Sequence, residues 1–169
     1  QNDEVTARSV LGGVLQHVGA ALSAHETIAV EQEVWGTIAQ LAAEYETIAA
    51  AAQRDRWAAL VRASGLTTEE VDEVIGSDAF GPLTAELRRA EANHHDLASV
   101  LPRLVRARGF GDADDIAAVI RHRLIAATTQ PAGSGRSRKA ARLVAGLVPE
   151  AMGCVADDMR QALDERRDL

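Results

Sequence analysis

The chain has 169 residues, a net charge of −7 at neutral pH and a single cysteine, Cys154. That length buries a hydrophobic core without covalent staples, and one cysteine excludes an internal disulfide or a zinc site built on several thiolates, so a reducing compartment is expected. No apolar run reaches the roughly 18 residues of a membrane span, and no basic region followed by an apolar stretch opens the chain, which points to a cytoplasmic protein.

The acidic average hides a sorted distribution. Residues 1–79 carry 4 basic and 13 acidic side chains, residues 80–145 carry 11 and 6, and residues 146–169 carry 3 and 6. A polyanion, if one binds, belongs on the basic middle. A start at Gln1 rather than at methionine, and an end inside a helical pattern at Leu169, give the expectation of a piece of a longer protein.

In chain order, the first predicted helix runs from Val5 to Leu22 with Val10, Val14, Val18 and Ala21 aligned, although Gly12, Gly13 and Gly19 each cost about 1 kcal/mol against alanine. The second is the clearest. Val34, Ile38, Leu41, Tyr45, Ile48 and Ala52 recur at alternating spacings of four and three and form one stripe, with Glu31, Glu33, Glu44 and Glu46 off it. The stripe changes phase near Gln53, where Trp57, Leu60 and Val61 take over, so a bend is expected there, before a short helix ending at Gly65. Trp35, Tyr45 and Trp57 read as core.

Thr67, with Glu70 three residues on and Leu66 placed to meet Val71, is a full capping signature for a helix ending at Ile75 and Gly76. Gly81-Pro82 opens the next, carrying Leu83, Leu87 and Ala90. Asp96 or Ser99 caps a helix running through Arg108, with Pro102 near its start. Asp112 is expected to cap another, holding Ile116, Val119, Ile120 and Leu124, with Asp114 and Asp115 in the first turn. Thr128–Lys139 reads as an exposed loop. Leu143–Val148 can bury, Pro149 interrupts, and Ala156–Arg167 forms a last helix. No segment shows the alternation of a strand. The fold class expected is all-α: an irregular multi-helix domain with a long N-terminal helical hairpin over residues 1–65, a short-helix bundle over 66–169 with a basic loop at 128–139, and no sheet.

Candidate chemistry is thin. His94, His95 and Asp96 suggest a metal, but adjacent helical positions diverge by about 100° and cannot share one ion. Asp112, Asp114 and Asp115 resemble the opening of a calcium loop without its glycine and closing glutamate. Gly133–Lys139 lacks the Gly-Lys-Ser/Thr ending of a phosphate loop, and no strand precedes it. His17, His25 and His122 stand singly. No cofactor is expected, and no paired groups suggest an enzyme. What remains is a basic set, Arg121, Arg123, Arg136, Arg138, Lys139 and Arg142, suited to phosphate contacts that give affinity without sequence information. The alternative for these cations is a solvated loop and favourable positions at a helix C-terminus.

Two passages, SAHETIAVEQEVWGTIAQLAAEYETIAAAAQRDRWAALVRASGL at 23–66 and AFGPLTAELRRAEANHHDLASVLPRLVRARGFGDADDIAAVIRHRL at 79–124, resemble the C-terminal region of MobF-class conjugative relaxases from actinobacterial plasmids and mobile elements. AGLVPEAMGCVADDMRQALDERRDL at 145–169 continues the likeness. Members of that family join a relaxase, which nicks one strand through a tyrosine beside a three-histidine metal site, to a motor helicase with nucleotide-binding motifs. Neither set is in this chain, whose one tyrosine, Tyr45, sits in the apolar stripe. The resemblance therefore implies a non-catalytic helical extension that docks other parts of the parent relaxase-helicase and transfer proteins, such as relaxosome factors or the coupling protein. The alternatives are an auxiliary DNA-binding module using the basic set, and a helical brace or self-association element at residues 1–65.

Overall fold

The computed structural model describes residues 24–129, 139–153 and 156–167 of the chain. The helix expected over Val5–Leu22, most of the basic loop, and Cys154 lie outside these residues. Six helices are described: α1 (Ala24–Arg62), α2 (Thr68–Gly76), α3 (Phe80–Ala92), α4 (Leu97–Arg106), α5 (Ile116–Thr128) and α6 (Asp157–Arg167). The architecture is mostly helical, as expected. One correction is needed: Leu143–Val144 (β1) and Val148–Pro149 (β2) pair antiparallel as a small ribbon, with Val144 opposite Val148. By contacts the chain divides into two units, Gln1–Gln40 and Leu41–Leu169, so α1 belongs to both.

The expected bend near Gln53 does not occur; α1 is unbroken to Arg62. The phase change is instead a rotation of the buried face along a continuous helix. Tyr45 and Ala49 pack with Val148 and Leu163, whereas Trp57, Ala58 and Val61 join the apolar core formed with α2 to α5. Between these stretches Gln53 is fully buried and its Nε2 donates to the carbonyl of Met152 at 2.6 Å. A polar residue holds the crossover because the backbone beside it supplies an acceptor, and burial without one would cost a few kcal/mol.

The capping box at α2 forms as read, with the Glu70 amide donating to Thr67 Oγ1 at 3.2 Å and the Thr67 amide to Glu70 Oε2 at 2.8 Å. Val71 and Val74 then face the core. The strongest helix pairing is α3 against α5, which interleaves Leu83, Leu87 and Ala90 with Ile116, Ile120 and Leu124. The cap of α5 is Asp115, not Asp112: its Oδ1 accepts the Ala118 amide at 2.9 Å. Pro102 lies inside α4 rather than at its start.

The ribbon is closed by residues 145–147, where Ala145 (φ 49°) and Gly146 (φ 70°) both take the left-handed region and the Leu147 amide donates to Val144 O at 3.0 Å. That geometry matches the twist of a hairpin, and Gly146 adopts it without the penalty an alanine bears. The Arg142 amide donates to Ala92 O at 2.9 Å, tying the ribbon to the end of α3. No helix among the described residues is long and apolar enough to cross a membrane.

Candidate functional site

Of the six basic residues singled out, Arg136 and Arg138 lie outside the described residues, and the others have different surroundings. Arg121 and Arg123 are two positions apart on α5, so they diverge by roughly 200°. Arg121 turns toward α3, where Nη2 is 3.9 Å from Glu86 and the side chain is 44% exposed. Arg123 turns toward the end of α4. Its Nη1 donates to the carbonyls of Leu104 (3.0 Å) and Arg108 (2.8 Å), Nη2 donates to Gly109 O (3.3 Å), and the guanidinium lies 4.7 Å from the Phe110 ring centre.

Arg123 therefore closes the C-terminus of α4, whose last carbonyls have no partners within the helix. A cation there also complements the helix dipole. Lys139 and Arg142 are exposed; the Arg142 guanidinium meets the Met152 sulfur, with Nη1 2.7 Å from Sδ. His94, with a positive φ of 66°, holds Ala140 O at 2.7 Å through Nε2, and no group of three metal-ligating side chains occurs among the described residues.

A shallow cleft of about 460 Å³ opens beside this clamp, lined by Arg108, Asp112, His122 and Arg123 together with Ala118 and Val119. Arg108 and His122 are exposed at its rim, and Arg103 and Arg106 are exposed on neighbouring α4. The exposed cations in this unit thus include members that the sequence reading left out. A count of Arg on α4 could have suggested them, because its apolar positions leave Arg103 and Arg106 on the outer face.

A second cavity of about 220 Å³ is lined by Tyr45, Glu150, Ala151, Arg160, Leu163 and Asp164, among others. Burial pushes the Tyr45 phenol above its ordinary ionisation range, only partly offset by the Ala151 amide that donates to its oxygen at 3.0 Å, and nearby Glu150 adds to the rise. The phenol is thus neutral and committed as an acceptor, which suits it to pinning the ribbon rather than to nucleophilic attack.

Two ion pairs cross from α1 to α3, one half-buried and the other between a buried arginine and a half-exposed glutamate. Arg56 pairs bidentately with Glu91 and stacks 4.3 Å from the Trp57 ring centre. Arg88, 1% exposed, pairs with Glu46; among the described residues its Nε and Nη1 have no hydrogen-bond partner. The burial of Arg88 was not visible from sequence, where it stands beside the apolar position Leu87. Gly153 (φ 97°) admits Arg56 closely: a Cβ there would lie 2.8 Å from its Nε.

The described part of the first unit is different in kind. Ile28, Val30, Val34 and Trp35 are 50%, 47%, 51% and 64% exposed. The expectation that Trp35 belongs to a core is corrected: Trp35, like Val34 of the stripe, is open to solvent, while Tyr45 and Trp57 are buried as expected. Glu31 and Glu33 are exposed among them.

Comparison with family models, with curated proteins and with solved structures returned no match for this chain.

Proposed function

We propose that this chain is a non-catalytic helical docking domain from the C-terminal region of a MobF-class conjugative relaxase-helicase, and that it acts in plasmid DNA transfer by holding other components of the machinery. The observation that carries the docking reading is the exposed apolar stretch of α1, where one tryptophan and three aliphatic side chains each stand about half or more in water. Isolated exposed apolar residues are ordinary, but four within eight positions form the kind of patch that marks an interaction surface, and tryptophan is the residue type most enriched at binding hot spots. The link to conjugation rests on the three sequence passages that resemble the relaxase family.

The test is a transfer assay in a host whose relaxase carries this chain, comparing the parent with a Val34→Ala/Trp35→Ala double variant. Transfer should fall by about tenfold or more, the consequence of losing about 1.4 kcal/mol at an interface, while strand nicking stays unchanged. Unchanged transfer would remove the docking role. A second reading, an auxiliary DNA-binding surface, is favoured by the exposed Arg103, Arg106, Arg108, Arg121 and His122 of α4, α5 and the loop between them. Binding of this kind would appear as a gel shift at low salt that disappears as salt rises. No shift at micromolar protein would end it.

A further inference from the structure

We propose that the exposed face of α1 between Ile28 and Ile38 takes up a cationic amphipathic helix of a partner protein. This rests on the docking reading and adds the chemistry of what is docked. At about 100° per residue, Val30, Val34, Ile38, Trp35 and Ile28 fall within an arc of roughly 160°. Ile28 and Trp35 are seven residues apart, and Val34 and Ile38 four, which is the anchor spacing of helix-to-helix recognition. Glu31 lies inside that arc and Glu33 about 60° beyond its Val30 end. Both are exposed, and no lysine or arginine occurs anywhere between Arg8 and Arg54. The face offers apolar anchors and negative charge with no cation of its own to neutralise it.

That charge pattern selects the occupant. A second copy is disfavoured, because an antiparallel pairing that sets Ile28 against Trp35 is centred between residues 31 and 32 and brings two Glu31 side chains together. An in-register parallel pairing does the same. Like charges brought together across an interface are unfavourable, while a helix with Lys or Arg flanking an apolar stripe satisfies both carboxylates and covers the same anchors.

The experiment uses the full chain and a three-heptad helical peptide of leucine and lysine, with a counterpart in which every lysine is glutamate. Trp35 is 64% exposed and Trp57 1%, so acrylamide quenching reports on Trp35. The lysine peptide should blue-shift the emission, suppress quenching, and bind more weakly as salt rises; a Trp35→Phe variant should show no such shift. A Glu31→Lys/Glu33→Lys variant should lose about tenfold or more in affinity for the lysine peptide and gain affinity for the glutamate one.

Equal binding of the two peptides, or no change in Trp35 emission, would overturn the proposal. So would quenching already suppressed before any peptide is added, which would mean that the chain covers the face itself. A shift that tracks protein concentration with a doubled mass in light scattering would assign the face to a second copy, and a shift with phosphatidylcholine vesicles instead of peptide would assign it to lipid. If transfer falls in the Val34→Ala/Trp35→Ala variant while the lysine peptide fails to bind, docking stands and the cationic helix does not.

Discussion

Within the second unit, the core around α3 and α5 and the smaller cluster around Tyr45 are built on opposite principles. The first gathers 19 buried apolar residues, from Trp57 to Leu124, with few polar contacts among them. The second has four, Tyr45, Ala49, Val148 and Leu163, and is held by hydrogen bonds from side chains to the backbone of the segment around the ribbon: Gln53 and Arg56 to Met152 O, and the Ala151 amide to Tyr45 Oη. Ion pairs of Arg166 with Glu44 and Arg167 with Glu150 attach α6 at the periphery. Apolar burial scales with area and is indifferent to direction. The polar cluster depends on geometry, since each net hydrogen bond contributes only about 1 kcal/mol. The teaching of the difference is that the bundle should survive loss of the ribbon's contacts, but the ribbon should not survive loss of the bundle.

The largest test of that asymmetry is Leu124→Ala. Leu124 is fully buried where α5 meets α3, and truncating a leucine in such a site costs about 3 kcal/mol, within a range of about 2–5. Urea unfolding followed by circular dichroism should show the midpoint of the whole unit displaced, with the ribbon lost in the same transition. A ribbon that persists after the helices melt would reverse the ranking.

Tyr45→Phe should do much less. It keeps the ring in place and deletes the oxygen that accepts the Ala151 amide, at a cost of about 1 kcal/mol, or somewhat more where that amide is left buried without a partner. Hydrogen exchange should accelerate at Ala151 and across β1 and β2 while α3 and α5 keep their protection. The same variant carries a pH signature. Because the folded-state ionisation of Tyr45 is raised, its contribution is intact below the ordinary value near 10 and is lost as pH rises toward the folded-state value. The parent should weaken from about pH 10 upward more steeply than Tyr45→Phe.

These contrasts also mark what the sequence made legible. Local signals came through: Thr67 and Glu70 cap α2 because both partners of the box lie within four residues, and the stripes of α3 and α5 face each other because a 3.6-residue period needs only one apolar neighbour. What failed depended on distant partners. Gln53 read as the place where a stripe ends, since its acceptor, Met152, is 99 residues away. Val34 continued the stripe of Tyr45 and Trp35 read as core by residue type, yet periodicity specifies a face and not whether anything covers it. Arg123 belonged to the basic set by composition, and only its position opposite the end of α4 turns it into a carbonyl clamp. The ribbon escaped because Ala145-Gly146 is a weaker hairpin signal than Asn-Gly, and two-residue strands are too short to show alternation.

The smallest effect expected belongs to the bundle and concerns charge rather than packing. Asp115 accepts Ser77 Oγ at 2.6 Å and the Ala118 amide at 2.9 Å, and these donors, the serine first, hold its carboxyl below the ordinary value. A lowered folded-state ionisation contributes stability that is present above the unfolded-state value, about 3.9, and is lost as pH falls through the lower folded one. Asp115→Asn keeps an acceptor for the Ala118 amide, because asparagine caps helices about as well as aspartate, but it cannot titrate. The parent and the variant should therefore differ by only a few tenths of a kcal/mol near pH 7, with the gap closing below about pH 4. Urea midpoints measured from pH 6 to pH 3 would resolve this. A gap that stays constant with pH would mean that the serine and amide contacts serve only as a cap, with no preference for the charged carboxyl.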